Sequence, residues 1–303
     1  MAAAAPAREE PLAGPSDEGA WRGRAAALIA AASVELSPRD GLAGEALRAL
    51  SPAATTVFVN HPPRATHHDI VAACKRLRRE GFVPVPHVAA RRLAGFTQLD
   101  DLLRRGVAEA GIERALIVAG DPERPLGPYR DSLDVLASGV VEGHGLRAVS
   151  FGVYPESHPR IDERTLDAAL DRKLAWARRQ GLAPSLVTQF GFAARPITAR
   201  VAALRARGID CPIEIGIAGP GTIATLAKFA IRCGVGASVH ALARGQTAFA
   251  RILTRATPDG LIRALVAAER PGAPIDGLHI FTFAGLRLTA QWRNAWLEPD
   301  RPR

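Results

Sequence analysis

The chain has 303 residues, of which 48% are hydrophobic and 23% charged, and its formal net charge is +9. This length exceeds the ~100–200 residues of most domains but suits an α/β barrel, which takes about 250 residues as one unit. The three cysteines are odd in number and lack paired spacing, which excludes a disulfide framework or a zinc finger. This cysteine usage is typical of a cytoplasmic protein.

The surplus of positive charge comes almost entirely from arginines spread over many predicted helices. No basic block is interleaved with aromatic residues, so we expect small anionic ligands rather than nucleic acid. The longest apolar stretch, residues 25–34, is far shorter than the ~20 residues of a membrane span, which predicts no membrane partner. Whether the chain forms a homo-oligomer is left open.

Residues 1–20 are rich in Ala, Pro, Gly and acidic side chains, which predicts a disordered tail before one domain of residues 21–303. From there, strand and helix patterns alternate. The predicted strands are residues 33–37, 56–60, 82–87, 114–119, 148–154, 185–189, 213–217 and 278–283. The predicted helices are residues 40–50, 67–80, 98–110, 129–137, 162–180, 197–207, further helices to about 268, and 285–297.

This alternation predicts an α/β fold, a single-domain (β/α)8 TIM barrel. The alternative is a doubly wound open sheet, which is disfavoured because no Gly-x-Gly-x-x-Gly follows the first strand. Active sites of such barrels lie at the carboxyl ends of the strands. Polar side chains stand near most predicted strand ends: Glu35, Asn60, His61, His87, Asp121, Tyr154, His158, Gln189 and Glu214.

The segment Tyr154-Pro-Glu-Ser-His-Pro159 resembles the Tyr-Pro-Glu-x-His-Pro motif of methylenetetrahydrofolate reductases. The segment Thr188-Gln189-Phe190-Gly-Phe192 resembles the family's Thr-Gln-x-x-Phe motif. Shorter matches follow the family's order, and the likeness covers residues 33–283. They are Val34-Glu35, Pro86-His87, Gly120-Asp121-Pro122, Arg172-Lys173 and the segment 212–217.

The resemblance implies an oxidoreductase in which NADH or NADPH supplies hydride, through FAD, to the one-carbon bridge of methylenetetrahydrofolate. It implies that Glu35 and Asp121 are catalytic, Glu35 as an acid whose pKa burial should raise. It implies that Asn60, Gln189 and Phe192 bind the folate. The residues that it implies for FAD are His61, His87, Gly120, Asp121, Tyr154, His158, Arg172 and Lys173.

Three departures from the family pattern lie at positions expected near FAD. Ala119 replaces an arginine, Ala169 replaces an asparagine, and Asn60-His61-Pro62 replaces Thr-Tyr-Gly. They keep three alternatives open. These are a flavin-independent reductase of the same substrate, a tetrahydrofolate-dependent methyltransferase or demethylation partner, and a non-catalytic folate-binding regulator.

We predict no metal site. Four histidines near the second and third strands could suggest one, but the neighbours His67 and His68 should face different sides of their helix.

Overall fold

Eight parallel strands close into a single barrel, with each strand paired to its neighbours in chain order and the last to the first. The computed structural model describes residues 15–39, 45–50, 55–235, 255–270, 272–283 and 285–298. The strands are β1 Ser33–Leu36, β2 Thr56–Val59, β3 Val83–Ala89, β4 Arg114–Val118, β5 Ala148–Val153, β6 Ala183–Thr188, β7 Ile213–Ala218 and β8 Gly277–Phe281. The prediction of a (β/α)8 barrel is confirmed.

Helices lie between successive strands. They are α1 Pro15–Ala31, α2 Glu45–Arg48, α3 His67–Arg79, α4 Phe96–Ala110, α5 Ser132–Ala137, α6 Glu163–Arg179, α7 Ala194–Ala206, α8 Ile223–Arg232, α9 Asp259–Ala267 and α10 Leu286–Leu297. Short 3-10 helices span Ala90–Arg92 and Val141–His144, and the two-residue strands Gly221–Thr222 and Arg255–Ala256 pair antiparallel. Among the described helices, none has both the length and the apolar character that a membrane crossing requires.

Two helix starts differ from those predicted. The first helix begins at Pro15, inside the segment assigned to the tail, and residues 1–14 lie outside the described residues. The helix predicted from residue 129 begins at Ser132, because the Asp131 side chain accepts hydrogen bonds from the backbone N–H groups of Leu133 and Asp134. A side chain that satisfies the free N–H groups of a first turn fixes the helix start there. The predicted helix at 40–50 is described only from residue 45.

The helices pack an apolar stripe against the outside of the barrel. In α3, the buried residues are Ile70, Val71, Ala73, Cys74 and Leu77, at helical spacing. Its start is fixed by a capping box, in which the hydroxyl of Thr66 and the carboxylate of Asp69 each accept a backbone N–H of the other residue.

Inside the barrel, alternate residues of each strand point toward the axis. Four apolar side chains from neighbouring strands pack together there: Phe58, Val85, Leu116 and Val187. Gly216 of β7 is required by close approach, since a Cβ at this position would lie 2.3 Å from the Thr188 carbonyl oxygen and 2.9 Å from the ring of Phe281. The rest of the interior is polar, and it carries the candidate site.

Candidate active site

The carboxylate of Glu35 is the centre of a buried polar cluster at the carboxyl end of the barrel strands. Asn60 Nδ2, which follows β2, donates a hydrogen bond to Glu35 Oε1 at 3.1 Å. On the other oxygen, His87 Nε2 of β3 lies 3.3 Å from Oε2 and His279 Nε2 of β8 lies 3.4 Å from it. Only 11% of the Glu35 side chain is exposed, 12% of His87 and none of His279. Four adjacent strands therefore aim their side chains at one point.

The electrostatics of Glu35 differ from the prediction. Burial raises its pKa, but the charge of His87 and hydrogen bonds from His279 and His87 outweigh that effect and hold the pKa below its ordinary value. The expectation that desolvation leaves Glu35 with a raised pKa is therefore wrong. An isolated buried carboxyl is destabilised as an anion, whereas one faced by two imidazoles is stabilised as an anion.

His279 is the member of this cluster that the sequence reasoning missed. It is fully buried, and its ring meets those of Phe58 and Phe281 edge to face, each at a centroid distance of 4.7 Å. A signal for it exists in the segment 278–283, where His279, Phe281 and Phe283 alternate with other residues and so share one face of the strand. A histidine on the inward face of an otherwise apolar strand could have been weighed as a site residue.

A cluster of aromatic rings adjoins Glu35, because Phe281 pairs with Glu35 in the β1–β8 register. We call this the phenylalanine cluster; its members are Phe190, Phe192, Phe229, Phe281 and Phe283. The Phe229 and Phe283 rings stack at 4.3 Å with an interplanar angle of 17°, and Phe190 meets Phe283 edge to face at 4.7 Å. Phe190 is fully buried, whereas the other four rings remain partly accessible. A polar cluster beside accessible aromatic faces suits a flat, hydrogen-bonding heterocycle.

The loop after β2 adds hydrogen-bond acceptors. Among the described residues, the buried atoms Asn60 Oδ1 and His61 Nδ1 have no hydrogen-bond partner. His61 Nε2 lies 3.2 Å from the carbonyl oxygen of Ala65, so Nε2 carries the proton and Nδ1 is left as an acceptor. Burial lowers the pKa of His61 to about 4, which keeps the ring neutral near pH 7. Buried polar atoms without partners are costly, and these two are placed to accept N–H groups from a ligand.

Asp121 lies at the rim rather than in the buried cluster. Its side chain is 62% exposed and is held by Arg92, whose Nη2 donates to Oδ1 at 2.7 Å. Gly120, with a φ of +87°, makes the turn that brings the chain off β4. Arg92 follows β3, so the ion pair joins two neighbouring loops.

Gln189 and Phe192 follow β6. The amide oxygen of Gln189 accepts the backbone N–H of Phe190 at 3.0 Å, so its amide N–H groups remain to serve a ligand. Phe192 contacts Phe190 edge to face at 5.7 Å and belongs to the phenylalanine cluster. Phe192 is therefore joined to the Glu35 side of the mouth through Phe281.

Tyr154 and His158 form a second pair after β5, with their rings edge to face at 4.7 Å. Burial raises the pKa of Tyr154, to which the nearby charges of Cys233 and Arg91 contribute with opposite sign. Burial raises the pKa of Cys233 to about 11, and the Glu35 carboxylate adds to that shift. Cys233 at the end of α8 thus lies within electrostatic reach of both Glu35 and Tyr154.

The two cations expected at a flavin diphosphate are separated from this pair. Arg172 is exposed on α6, whereas the Lys173 ammonium lies 5.6 Å from the ring centroid of Phe151. Phe151 follows Ser150, which points into the barrel because it pairs with Leu116, so Phe151 and Lys173 occupy the layer between β5 and α6. Burial lowers the pKa of Lys173 to about 8.

The residues implied for FAD do not fit a single site in the described structure, because a desolvated lysine behind the barrel wall does not supply a diphosphate cation at the mouth. FAD stays a prediction, and no chemical step below passes through it.

His67 and His68 come together, contrary to the expectation that they face different sides of α3. Their ring centroids are 3.9 Å apart, and His67 Nε2 lies 3.1 Å from Asp101 Oδ2. The same carboxylate is paired with Arg104 and Arg105, whose positive charges already neutralise it. The arrangement is a surface charge network between α3 and α4.

No known family profile matches the chain. Among solved structures, dihydropteroate synthase from Thermus thermophilus is 14% identical, with 88% of this chain and 92% of that chain covered and a TM-score of 0.43. The same enzyme in complex with 6HMPPP is 14% identical, with 88% and 91% covered and a TM-score of 0.42. The side chains at the barrel mouth, rather than these likenesses, indicate the chemistry.

Proposed function

We propose that this chain is a methylenetetrahydrofolate reductase that takes hydride from NADH or NADPH. The observation that carries the proposal is the Glu35 cluster, in which a buried carboxylate, two imidazoles and an amide meet at the catalytic end of a barrel. The motifs around Tyr154 and Gln189 supply the resemblance to the family, and both lie at strand ends of the same barrel.

The chemistry needs a proton and a hydride at neighbouring atoms. The one-carbon bridge of the folate links two nitrogens, and protonation of one allows its bond to carbon to break, leaving an iminium on the other nitrogen. Hydride from the nicotinamide then adds to that carbon and gives a methyl group. Glu35 is the group placed to pass the proton, because it lies between the imidazoles and the open mouth.

Binding follows from the surfaces around Glu35. The exposed faces of the phenylalanine cluster would hold a pterin or nicotinamide ring by stacking, with Phe192 at its edge. Asn60 Oδ1, His61 Nδ1 and the Gln189 amide would pair with ring donors and acceptors. Together these residues would select a flat heterocycle by shape and hydrogen bonding, while Glu35 acts on the bridge.

Two further functions remain as alternatives. A flavin-independent reductase is favoured over a flavin enzyme by the position of Lys173 and by the departures at Ala119 and Ala169. A non-catalytic folate-binding regulator is disfavoured, since binding alone does not require a buried carboxylate faced by two histidines.

The test is a turnover assay on the purified full chain whose flavin content has been measured by absorbance. Methylenetetrahydrofolate is supplied with nicotinamide deuterated at the transferable position, with and without added FAD, and the methyl product is analysed by mass spectrometry. We expect product that carries one deuterium without FAD. Turnover only with FAD would support the flavin route, and no product under either condition would contradict the proposed function.

A further inference from the structure

A chain of polar side chains runs through the barrel interior from Glu35 toward the opposite end. His279 Nε2 faces Glu35 Oε2 at 3.4 Å, and His279 Nδ1 lies 2.8 Å from Ser33 Oγ. Ser33 Oγ in turn donates a hydrogen bond to Glu214 Oε2. The other oxygen of Glu214 lies 3.6 Å from Arg114 Nη1. Four side chains from β1, β7 and β8 therefore form one continuous connection, which begins at an ion pair.

This connection starts at the amino-terminal ends of the strands. Glu214 is the second residue of β7 and Arg114 is the first of β4, so the sequence-based placement of Glu214 among the mouth residues is wrong. The Glu214 side chain is 16% exposed and that of Arg114 32%. Ser33 is buried, and His279 is fully buried. Only the Arg114–Glu214 end of the connection is partly open to solvent.

The donors and acceptors along the connection determine where protons sit. Beside Arg114, Glu214 is favoured as an anion, which can only accept hydrogen bonds. Ser33 has one hydroxyl hydrogen, and because it goes to Glu214, the serine oxygen must accept from His279 Nδ1–H. A neutral His279 would then turn the lone pair of Nε2 toward the Glu35 carboxylate. That repulsion is relieved only if one additional proton sits between His279 Nε2 and Glu35 Oε2.

We propose that Glu214 and Ser33 are positioning residues that make His279 and Glu35 hold one shared proton, and that this is the proton given to the folate. The inference rests on the proposed function for its last step only. The His279 Nε2–H bond breaks as Glu35 Oε2 takes the proton, and Glu35 passes it to the lone pair of the bridging nitrogen. That nitrogen keeps the electron pair of its broken bond to carbon. Glu35 ends as a carboxylate, and His279 ends neutral with its proton on Nδ1.

The electrostatic surroundings agree with this proton location. The pKa of Glu35 lies below its ordinary value despite the opposing effect of burial, so the resting proton belongs on the histidine side. The titratable and charged groups facing the pair are His87 on β3, Cys233 after α8, and Glu214 with Arg114 at the far end.

The first test observes His279 without any substrate. In protein with 15N-labelled imidazoles, the His279 signals are assigned by their loss in His279→Gln, and we expect both ring nitrogens to be protonated at pH 7. In Glu214→Gln the new amide can donate to Ser33, which then donates to Nδ1, so we expect a neutral ring with its proton on Nε2. A wild-type ring that is neutral and protonated on Nε2, or a ring unchanged in Glu214→Gln, would overturn the proposal.

Two further variants control for the structural effect of changing a buried group. Ser33→Ala cuts the connection without altering the charge of Glu214, and it should also leave His279 without its second proton. Ser150→Ala is the matched control, because Ser150 is an equally buried inward serine whose partner at 2.8 Å is Ser185. It should leave the His279 signals unchanged. Loss of the doubly protonated ring in Ser150→Ala as well would contradict a specific role for Ser33.

The second test links the connection to turnover. In Glu214→Gln and Ser33→Ala we expect kcat to fall at least 10-fold at pH 7 and the basic limb of its pH profile to move to lower pH, while KM changes little. Ser150→Ala should keep the wild-type profile. Unchanged profiles in both variants would overturn the proton-delivery step. If no protein in the series turns over folate, the proposed function fails, and the imidazole signals alone decide the positioning role.

Discussion

The two halves of the barrel mouth organise their polar residues differently. On the half formed by β8, β1, β2 and β3, Glu35, Asn60, His87 and His279 converge within hydrogen-bonding range. On the half formed by β4, β5 and β6, the residues expected to serve a cofactor are held apart. Asp121 pairs with Arg92 at the rim, Tyr154 with His158, and Lys173 packs behind β5.

The difference follows from where each side chain is attached. Glu35, His87 and His279 are inward residues of the strands themselves, so the barrel geometry brings their ends together. Asp121 and His158 lie in loops, where local partners fix each side chain on its own. A constellation on strands is set by the fold, whereas one on loops needs a ligand or a further contact to assemble it.

The largest expected effect is on the converging half. Glu35→Gln keeps the shape of the side chain but cannot carry a proton, so folate reduction should fall by about 10²-fold or more, the usual scale of general acid catalysis. Folate binding, measured by equilibrium titration, should persist. The matched control is Glu113→Gln, since Glu113 is 60% exposed and pairs only with Arg147. Full activity in Glu35→Gln would show that the convergence is structural.

The next effect concerns stability on the same half. The pKa of His61 is lowered from 6.5 to about 4 by burial, so below pH 6.5 the unfolded chain takes up a proton that the folded chain refuses. The stability contributed by neutral His61 is therefore lost as pH falls from 6.5 to 4. At pH 5 the loss is about 2 kcal/mol, from 1.36 kcal/mol per pH unit.

The measurement is urea unfolding at pH 7 and pH 5. His61→Gln should be less sensitive to this pH change than the wild type by about the amount just given, about 2 kcal/mol. His68→Gln is the control, because the His68 side chain is 60% exposed. Equal pH sensitivity in wild type and His61→Gln would indicate that His61 takes up its proton in the folded state as readily as in the unfolded state.

The extent of successful prediction from sequence follows the same division. The barrel was predictable because apolar strands and amphipathic helices alternate along the chain, and Glu35 and His87 were predictable as strand-end residues. The pKa direction of Glu35 was not, since it depends on His279, about 240 residues away in the chain. Glu214 was misplaced because the pattern gave the strand but not which of its ends lies near residue 214.

A smaller effect tests the aromatic link between the two halves. Phe192→Leu retains an apolar side chain but loses the ring that meets Phe190. Aromatic contacts contribute about 0.5–1.5 kcal/mol beyond burial, so KM for the folate should rise about 2- to 10-fold with kcat nearly unchanged. Phe96→Leu, at a ring that is 60% exposed on α4, should leave both constants unchanged. A fall in kcat alone would place Phe192 in the chemical step instead.

The smallest expected effect is at Lys173, on the dispersed half. Its ammonium lies over Phe151 behind the barrel wall, and burial lowers its pKa to about 8. A lysine in that layer does not neutralise a diphosphate at the mouth, so Lys173→Met should shift an FAD titration, followed by flavin fluorescence, by less than about 2-fold, well under the 1.4 kcal/mol that a tenfold change represents. Arg172→Met, one residue away on the exposed face of α6, provides the matched comparison. The pH dependence adds an independent check, because between pH 8 and 10.5 the folded chain releases the Lys173 proton before the unfolded chain does. Stability should therefore rise with pH across that window in the wild type and less so in Lys173→Met. FAD affinity tenfold weaker in Lys173→Met than in both the wild type and Arg172→Met would mean that the lysine reaches the cofactor, and that the dispersed half assembles when the ligand binds.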